Sequence, residues 1–369
     1  MQHVLQAGLS LGMSATSGLH SKKPPPVDPS FDGLSSLLPM SFVPTAETKI
    51  TLRGKHHNVS VPYLCWGAWS WGDKATWHWD DARERPALKE AWQIAVQNGM
   101  NFIDTAQAYG SGESERICAE LFKGMPRDSY VIQTKWYVVP DNMTNLLHPT
   151  EAPVKMLRKS LERCGLEYMD CYLVHGHIHA SSISQVAKGL AECVDQGLTK
   201  TVGVANYSTE DMIKMADELA KYGIPLATNQ CEFSILRRHP ETHGLLQACK
   251  DRGIVFQSYS SLAQGRLTGK YNASHEPPKT YRFSSYPMQE IEPTLEVLAS
   301  IAKRRGVTVP GVALNYNVSK GVLPVAGVRN PEQAKSTSTA WGWRLSEEEI
   351  RQIDAVSFDG KSTVLWQQG

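Results

Sequence analysis

From about residue 60 onward, short apolar runs rich in Val, Ile, Tyr and Phe alternate with amphipathic segments of helical spacing, and no other feature of the chain constrains its fold so tightly. The runs lie at 63–69, 101–106, 130–137, 170–175, 201–206, 226–233, 253–260 and 322–327. Near-continuous hydrophobic runs of this kind suit strands buried on both faces, as in a parallel sheet covered by helices. Between them, Ile183, Val186, Ala187, Leu190 and Val194 fall on one helical face, and Met212, Ala216 and Leu219 on another. Ser208 and Asp211 stand three residues apart just before the second stripe, a helix-start signal. Eight strands, each followed by helix, predict a single closed (β/α)8 TIM barrel with an N-terminal β-hairpin and large loops at its C-terminal face. An open doubly wound sheet shares the alternation. It needs a Gly-rich phosphate turn after its first strand, however, and the stretch from Gly67 to Gly72, Gly-Ala-Trp-Ser-Trp-Gly, is not one.

Length and composition agree with one such domain plus appendages. Residues 1–45 read as a variable leader with no acidic residue before Asp28 and a stiff Lys22-Lys23-Pro24-Pro25-Pro26 stretch; 46–360 form the barrel and 361–369 a short tail. The leader has no Arg and its apolar runs are broken, which argues against a targeting segment and for a cytoplasmic protein, with organelle import as the alternative. Lys+Arg total 38 against 37 Asp+Glu, so no electrostatic case exists for nucleic acid or an anionic membrane surface. Seven widely spaced cysteines without a Cys-x-x-Cys pair read as reduced, buried thiols. No run reaches the roughly 18 apolar residues of a membrane helix.

In a barrel, chemistry sits at the carboxyl ends of the strands. Asp104 and Tyr109 follow the second run, Lys135 lies in the third and His175 ends the fourth. A tyrosine is a poor proton donor near neutrality, its reference pKa being about 10, but an adjacent ammonium lowers that by roughly 1–3 units. A carboxylate beside the lysine holds the ammonium in place, and a histidine opposite can orient a carbonyl oxygen. The set suits protonation of a carbonyl oxygen while hydride reaches carbon. No side chain donates hydride, so the reading requires a nicotinamide or flavin. Taken singly, each residue has a plainer explanation as charge compensation or packing.

The run from Asn101 to Gly110, Asn-Phe-Ile-Asp-Thr-Ala-Gln-Ala-Tyr-Gly, followed by Gly112-Glu-Ser-Glu115, resembles the signature of the aldo-keto reductase superfamily. Further blocks continue the resemblance over roughly residues 48–356: Val131-Ile-Gln-Thr-Lys135, Asp170-Cys-Tyr-Leu-Val-His175, Thr201-Val-Gly-Val-Ala-Asn206, Thr228-Asn-Gln230, Ser258-Tyr-Ser-Ser-Leu262 and Pro324-Val-Ala-Gly-Val-Arg329. The stretch from Tyr259 to Tyr271 is similar to that of the longer branch, which resembles pyridoxal reductases and potassium-channel β subunits. The resemblance implies an NADPH-dependent oxidoreductase that reduces an aldehyde or ketone, reversible as an alcohol dehydrogenase. Tyr109 would be the proton donor, Lys135 and Asp104 its partners, and His175 the group orienting the carbonyl. It further implies that Asn206 and Gln230 hold the nicotinamide carboxamide and that Tyr259 stacks on the ring. Phosphate and adenosine contacts would come from Ser260, Leu262, Gly265, Arg266, Gly327, Arg329 and Gln333. Arg329 would pair with a 2′-phosphate, which favours NADPH over NADH. The chain departs from the family in Ala205-Asn206, where many members have Ser-Asn, and in Ser336-Thr337, where Glu-Asn is usual.

Trp66, Trp69, Trp71, Trp77 and Trp79 crowd the end of the first strand and its loop. Trp66 reads as core, whereas Trp69, Trp71, one of Trp77 or Trp79, Trp136 and His177 are expected to line a pocket for an apolar or aromatic carbonyl substrate. The loops 71–84, 137–150 and 271–288 would shape it, the last as a mobile clasp over the cofactor phosphates. Two further readings stand beside reduction. Relatives in this branch include regulatory, cofactor-sensing subunits, and the run His175-Gly-His177-Ile-His179 is a conceivable start of a metal hydrolase site. The matching positions on other strands, Lys135, Asn206 and Gln230, suit metal poorly, so no metal is expected. The oligomeric state is left open.

Overall fold

The computed structural model describes residues 41–137, 147–179, 181–277, 286–360 and 362. The leader up to residue 40, most of the tail, and parts of the loops 137–150 and 271–288 lie outside these residues. Strands β1 (Lys49–Leu52) and β2 (Val59–Pro62) form an antiparallel hairpin. Eight parallel strands then close a barrel: β3 (Cys65–Gly67), β4 (Phe102–Asp104), β5 (Val131–Trp136), β6 (Met169–Val174), β7 (Thr199–Ala205), β8 (Leu226–Glu232), β9 (Val255–Tyr259) and β10 (Leu323–Gly327). Closure comes from β10 pairing with β3, Val325 opposite Cys65. Every barrel strand falls within or overlaps one of the runs expected from sequence, and the expected barrel and hairpin are present.

The helices are α1 (Asp81–Gln97), α2 (Glu113–Phe122), α3 (Ala152–Cys164), α4 (Ile183–Asp195), α5 (Thr209–Ala220), α6 (His239–Thr242), α7 (Leu245–Asp251), α8 (Met288–Arg305), α9 (Val309–Ser319), α10 (Pro331–Ser338) and α11 (Glu347–Ala355). Local sequence sets their ends. Ser182 and Gln185 form a reciprocal capping box on α4, and the Ser208 hydroxyl accepts from Asp211 N at 3.1 Å to start α5. The stripe on α4 is buried as expected; on α5 Met212, Met215 and Leu219 are buried, while Ala216 sits at the margin of the core.

Period two along each strand divides the apolar side chains between two cores. Trp66, Ile103, Ile132, Trp136, Tyr172 and Val174 face outward into the helix layer. Cys65, Phe102, Cys171, Leu173, Val255 and Leu323 face the lumen, where they pack against Leu52, Val59 and Val61 of the hairpin. The hairpin thus stoppers the amino-terminal end of the barrel. Gly203 in β7 is needed for a close approach: a Cβ there would lie 2.5 Å from Thr228 Cγ2 and 2.9 Å from the Thr228 carbonyl oxygen. All seven cysteines are buried, and none is in a disulfide. Among the described residues no helix is long and apolar enough to cross a membrane.

Candidate active site

Above the apolar floor of the lumen the inward side chains become polar. Asp104 ends β4 two residues beyond Phe102, so it faces the lumen with that ring, and Lys135 on β5 points the same way. The Lys135 ammonium, with no exposed surface, donates to Asp104 Oδ2 at 2.6 Å, to the Thr105 carbonyl at 3.0 Å and to Tyr109 Oη at 3.0 Å. Burial alone would pull this lysine's pKa down. Asp104 and Tyr109 outweigh that penalty and hold the ammonium above its ordinary value. Tyr109 opens the short 3₁₀ turn Tyr109–Gly112 and keeps part of its ring accessible. His175, just past β6, meets that ring edge-on with centroids 5.5 Å apart, and Tyr137 flanks the histidine at 5.8 Å. The four residues expected from sequence therefore converge: a partly exposed phenol, backed by a buried ammonium and its carboxylate. That arrangement can hand a proton to an oxygen that is gaining negative charge.

The residues expected around a nicotinamide also gather beside this group. Asn206, in left-handed backbone at φ 62°, accepts from the Tyr259 hydroxyl at 2.8 Å and donates to the His175 carbonyl at 3.2 Å. Gln230 donates to Asp104 Oδ1 at 3.1 Å. Beyond Tyr259 the chain turns left-handed at Ser260, Ala263, Gln264 and Gly265, the first three against the preference of side-chain-bearing residues. Such backbone clusters at ligand clamps, where its amides form anion-binding nests. Arg266 follows, only 6% exposed, and its Nε is buried with no hydrogen-bond partner among the described residues. A buried guanidinium with an unmet donor beside a nest fits the phosphates of a dinucleotide.

Arg329 is held differently. Its Nε and Nη2 donate to the two oxygens of Glu84 on α1, each at 2.6 Å, and Nη2 also reaches the Trp77 carbonyl at 3.2 Å. Gln333 turns back to accept from the Arg329 backbone N–H at 2.7 Å. Arg329, Gly327 and Gln333 do lie at the rim above β10, yet the guanidinium is already paired.

Two of the expected pocket residues are corrected. Trp71 has no exposed surface, and its indole N–H donates to the Val328 carbonyl at 2.8 Å, tying the loop after β3 to the loop after β10. Trp136 is equally buried, because it is one residue past the inward Lys135 and so points into the helix layer. Trp69 and Trp77 remain partly exposed and contact each other edge-on at 5.1 Å, and His177 is half-buried. The three histidines of the His-x-His run do not converge: His179 turns away to Tyr207 Oη at 3.1 Å. Among the described residues, the one group placed to hold a metal is His239, His243 and Asp359, elsewhere in the fold.

Sequence reasoning missed Gln133, Gln257 and Glu84. The first two stand two residues before Lys135 and Tyr259, on the same face of their strands, and that spacing was a usable signal. Nothing local to α1 marks Glu84.

The sequence model of the Aldo/keto reductase family matches residues 63–357. The chain is 30% identical to the chloroplastic pyridoxal reductase of Arabidopsis thaliana, covering 83% of this chain and 86% of that one. It is 28% identical to the NADH-specific methylglyoxal reductase of Escherichia coli, covering 79% of this chain and 93% of the relative. Among solved structures it is similar to the glycerol dehydrogenase of Gluconobacter oxydans, with 25% identity, a TM-score of 0.71, and coverage of 83% and 94%. Neither a metal hydrolase nor a regulatory subunit is favoured by these likenesses. With the barrel, the ordered motifs and the family match in agreement, the chain belongs to the aldo/keto reductase family and is an NAD(P)H-dependent oxidoreductase that reduces carbonyl compounds.

Proposed function

We propose that Tyr109 is the proton donor of this reduction and that Lys135, Asp104 and His175 serve it. The observation that carries the reading is the single buried ammonium shared between Asp104 Oδ2 and Tyr109 Oη. A nicotinamide, when bound, supplies the hydride. Lys135 favours the phenolate over the phenol, so the proton leaves Tyr109 more readily as the substrate oxygen becomes negative. Asp104 keeps the ammonium in place. His175, edge-on to the Tyr109 ring, orients the carbonyl toward the phenol.

Asn206, Gln230 and Tyr259 are assigned to the nicotinamide end, and Ser260, Leu262, Gly265 and Arg266, with Gly327, Arg329 and Gln333, to the phosphates and adenosine. NADPH is the proposed cofactor in preference to NADH. Arg266 and Arg329 support it, Glu84 weakens it, and a relative named as NADH-specific marks the opposite outcome. Trp69, Trp77, Tyr137 and His177 favour an apolar or aromatic carbonyl substrate. The Arabidopsis relative is named for pyridoxal, itself an aromatic aldehyde. We also propose 46–360 as the folding unit and the cytoplasm as its compartment; the relative's chloroplastic name makes import through the leader the alternative. The test is stopped-flow oxidation of bound NADPH by a panel of aldehydes and ketones. Tyr109→Phe is expected to slow it by about 10²–10⁴-fold at unchanged NADPH affinity. A variant as fast as the native chain refutes the assignment.

A further inference from the structure

Barrel interiors are usually filled by layers of branched apolar side chains. In this barrel the layer beneath Lys135 is made of amides. Gln133 on β5 and Gln257 on β9, four strands apart in the eight-stranded order and so on opposite walls, have no exposed surface. They exchange hydrogen bonds across the lumen: Gln133 Nε2 donates to Gln257 Oε1 at 2.7 Å, and Gln257 Nε2 donates to Gln133 Oε1 at 3.0 Å. Gln133 Nε2 also donates to Asp104 Oδ1 at 2.6 Å. Gln230 Nε2 donates to the same Asp104 oxygen at 3.1 Å and to Gln257 Oε1 at 2.9 Å.

The orientation of these amides follows from chemistry. A carboxylate accepts only, so Gln133 must turn its NH₂ toward Asp104, which leaves its carbonyl to accept from Gln257. Asp104 Oδ1 is thereby occupied by two amide N–H groups, and Oδ2 is left for Lys135 alone. Buried amides are costly unless bonded, and an apolar layer would fill the same space without them. Gln133 and Gln230 converge on the carboxylate that holds the lysine, and Gln257 ties those two amides together.

We propose that Gln133 and Gln257 are positioning residues of the proton-donor assembly, a transverse amide brace that fixes Asp104 and through it the field of Lys135 at Tyr109. This rests on the assignment of Tyr109 as donor. Without the brace, the carboxylate concentrates its charge on Lys135 and neutralises more of the ammonium, so the phenol gives up its proton less easily. The other titratable groups around the assembly are His175 and Tyr137 beside the phenol and the thiols of Cys65, Cys118 and Cys171 near Asp104. Burial raises all three thiols, Cys171 to about 12, so they stay protonated through the working range.

The test is the pH profile of kcat for Gln133→Leu and Gln257→Leu, with NADPH affinity and urea midpoint measured alongside. Gln133→Leu is expected to lower kcat near neutrality about tenfold and to move the alkaline limb up by roughly half to one pH unit. Gln257 does not touch Asp104, so Gln257→Leu moves the limb in the same direction by less. Gln133→Glu keeps the length but loses the donor when ionised, and is not expected to restore the native limb. A purely structural role would change the urea midpoint and leave the limb where it was, which overturns the proposal. If Gln133→Leu does not fold, the Gln257→Leu limb decides. Tyr109→Phe measured in parallel separates the two readings. An inactive Tyr109→Phe with native limbs in both glutamine variants sinks only the brace, whereas a fully active Tyr109→Phe sinks both.

Discussion

Replacing Glu84 with glutamine separates the two claims on Arg329. The Glu84 carboxylate is 8% exposed and the guanidinium 24%, and two N–H···O bonds of 2.6 Å join them in a fork. A 2′-phosphate that uses Arg329 must loosen this pair, whereas NADH makes no such demand. Glu84→Gln keeps the shape of the side chain and one acceptor oxygen, and so also the weak contact from the Asp80 N–H at 3.4 Å, but removes the charge. Fully exposed pairs contribute about 0.2–1 kcal/mol and hydrogen bonds to charged groups about 1.5–3. This half-sheltered fork falls between them, at about 1–2 kcal/mol. Released to the phosphate, that becomes roughly a five- to thirty-fold gain in NADPH affinity, since about 1.4 kcal/mol is tenfold. The assay is fluorescence titration of both cofactors against native and variant protein at fixed ionic strength. The ratio of NADH to NADPH dissociation constants should rise by that factor while NADH binding stays within about twofold. Equal shifts for both cofactors, or weaker NADPH binding, refute the idea that Glu84 competes with the cofactor for Arg329.

Other outcomes follow from the same contacts. Lys135→Met leaves Asp104, 2% exposed, without its cation; breaking a buried pair costs about 3–5 kcal/mol, so both the urea midpoint and single-turnover reduction should fall. A native midpoint with native activity would show that the pair matters to neither. Gly203→Ala drives a Cβ to 2.9 Å from a backbone oxygen that cannot swing aside, a strain of about 1–3 kcal/mol, readable as a lowered denaturation midpoint. An unchanged midpoint would mean that β7 and β8 pack less closely than described. His239 is half-buried beside Arg237, and loss of solvent with that neighbouring charge depresses its pKa to about 4 from 6.5. Protonation therefore favours the unfolded chain, so this contribution is present above pH 6.5 and is lost as pH falls toward 4. His239→Gln should flatten stability over that window in urea titrations; an equally steep loss in the variant would point to other groups.

Much of this protein is legible along the chain because the deciding physics is local. The alternation of buried strand and one-faced helix sets the barrel through short-range periodicity, and the capping serines place their helices within three residues of themselves. The order Asp104, Tyr109, Lys135, His175 is readable for the same reason: strand ends bring chemistry to one face of a closed barrel. The tryptophans show where that reading stops. Trp136 is one residue from Lys135, and only the inward or outward phase of β5 decides that it packs under the helices. Trp71 is turned inward by a carbonyl 257 residues away in sequence.

Closure of the barrel settles the rest. It brings Gln133 and Gln257, 124 residues apart, across the lumen to brace Asp104, and it brings Glu84 against Arg329 across 245 residues. Each glutamine is a polar residue in a strand, and Glu84 is one acidic residue among several in the first turns of a helix. The sequence by itself determined the architecture and marked the proposed reacting groups, because periodicity and strand ends need only neighbours. The tertiary structure alone decided which buried polar groups meet, because a desolvated carboxylate or guanidinium must find partners wherever the closed barrel delivers them.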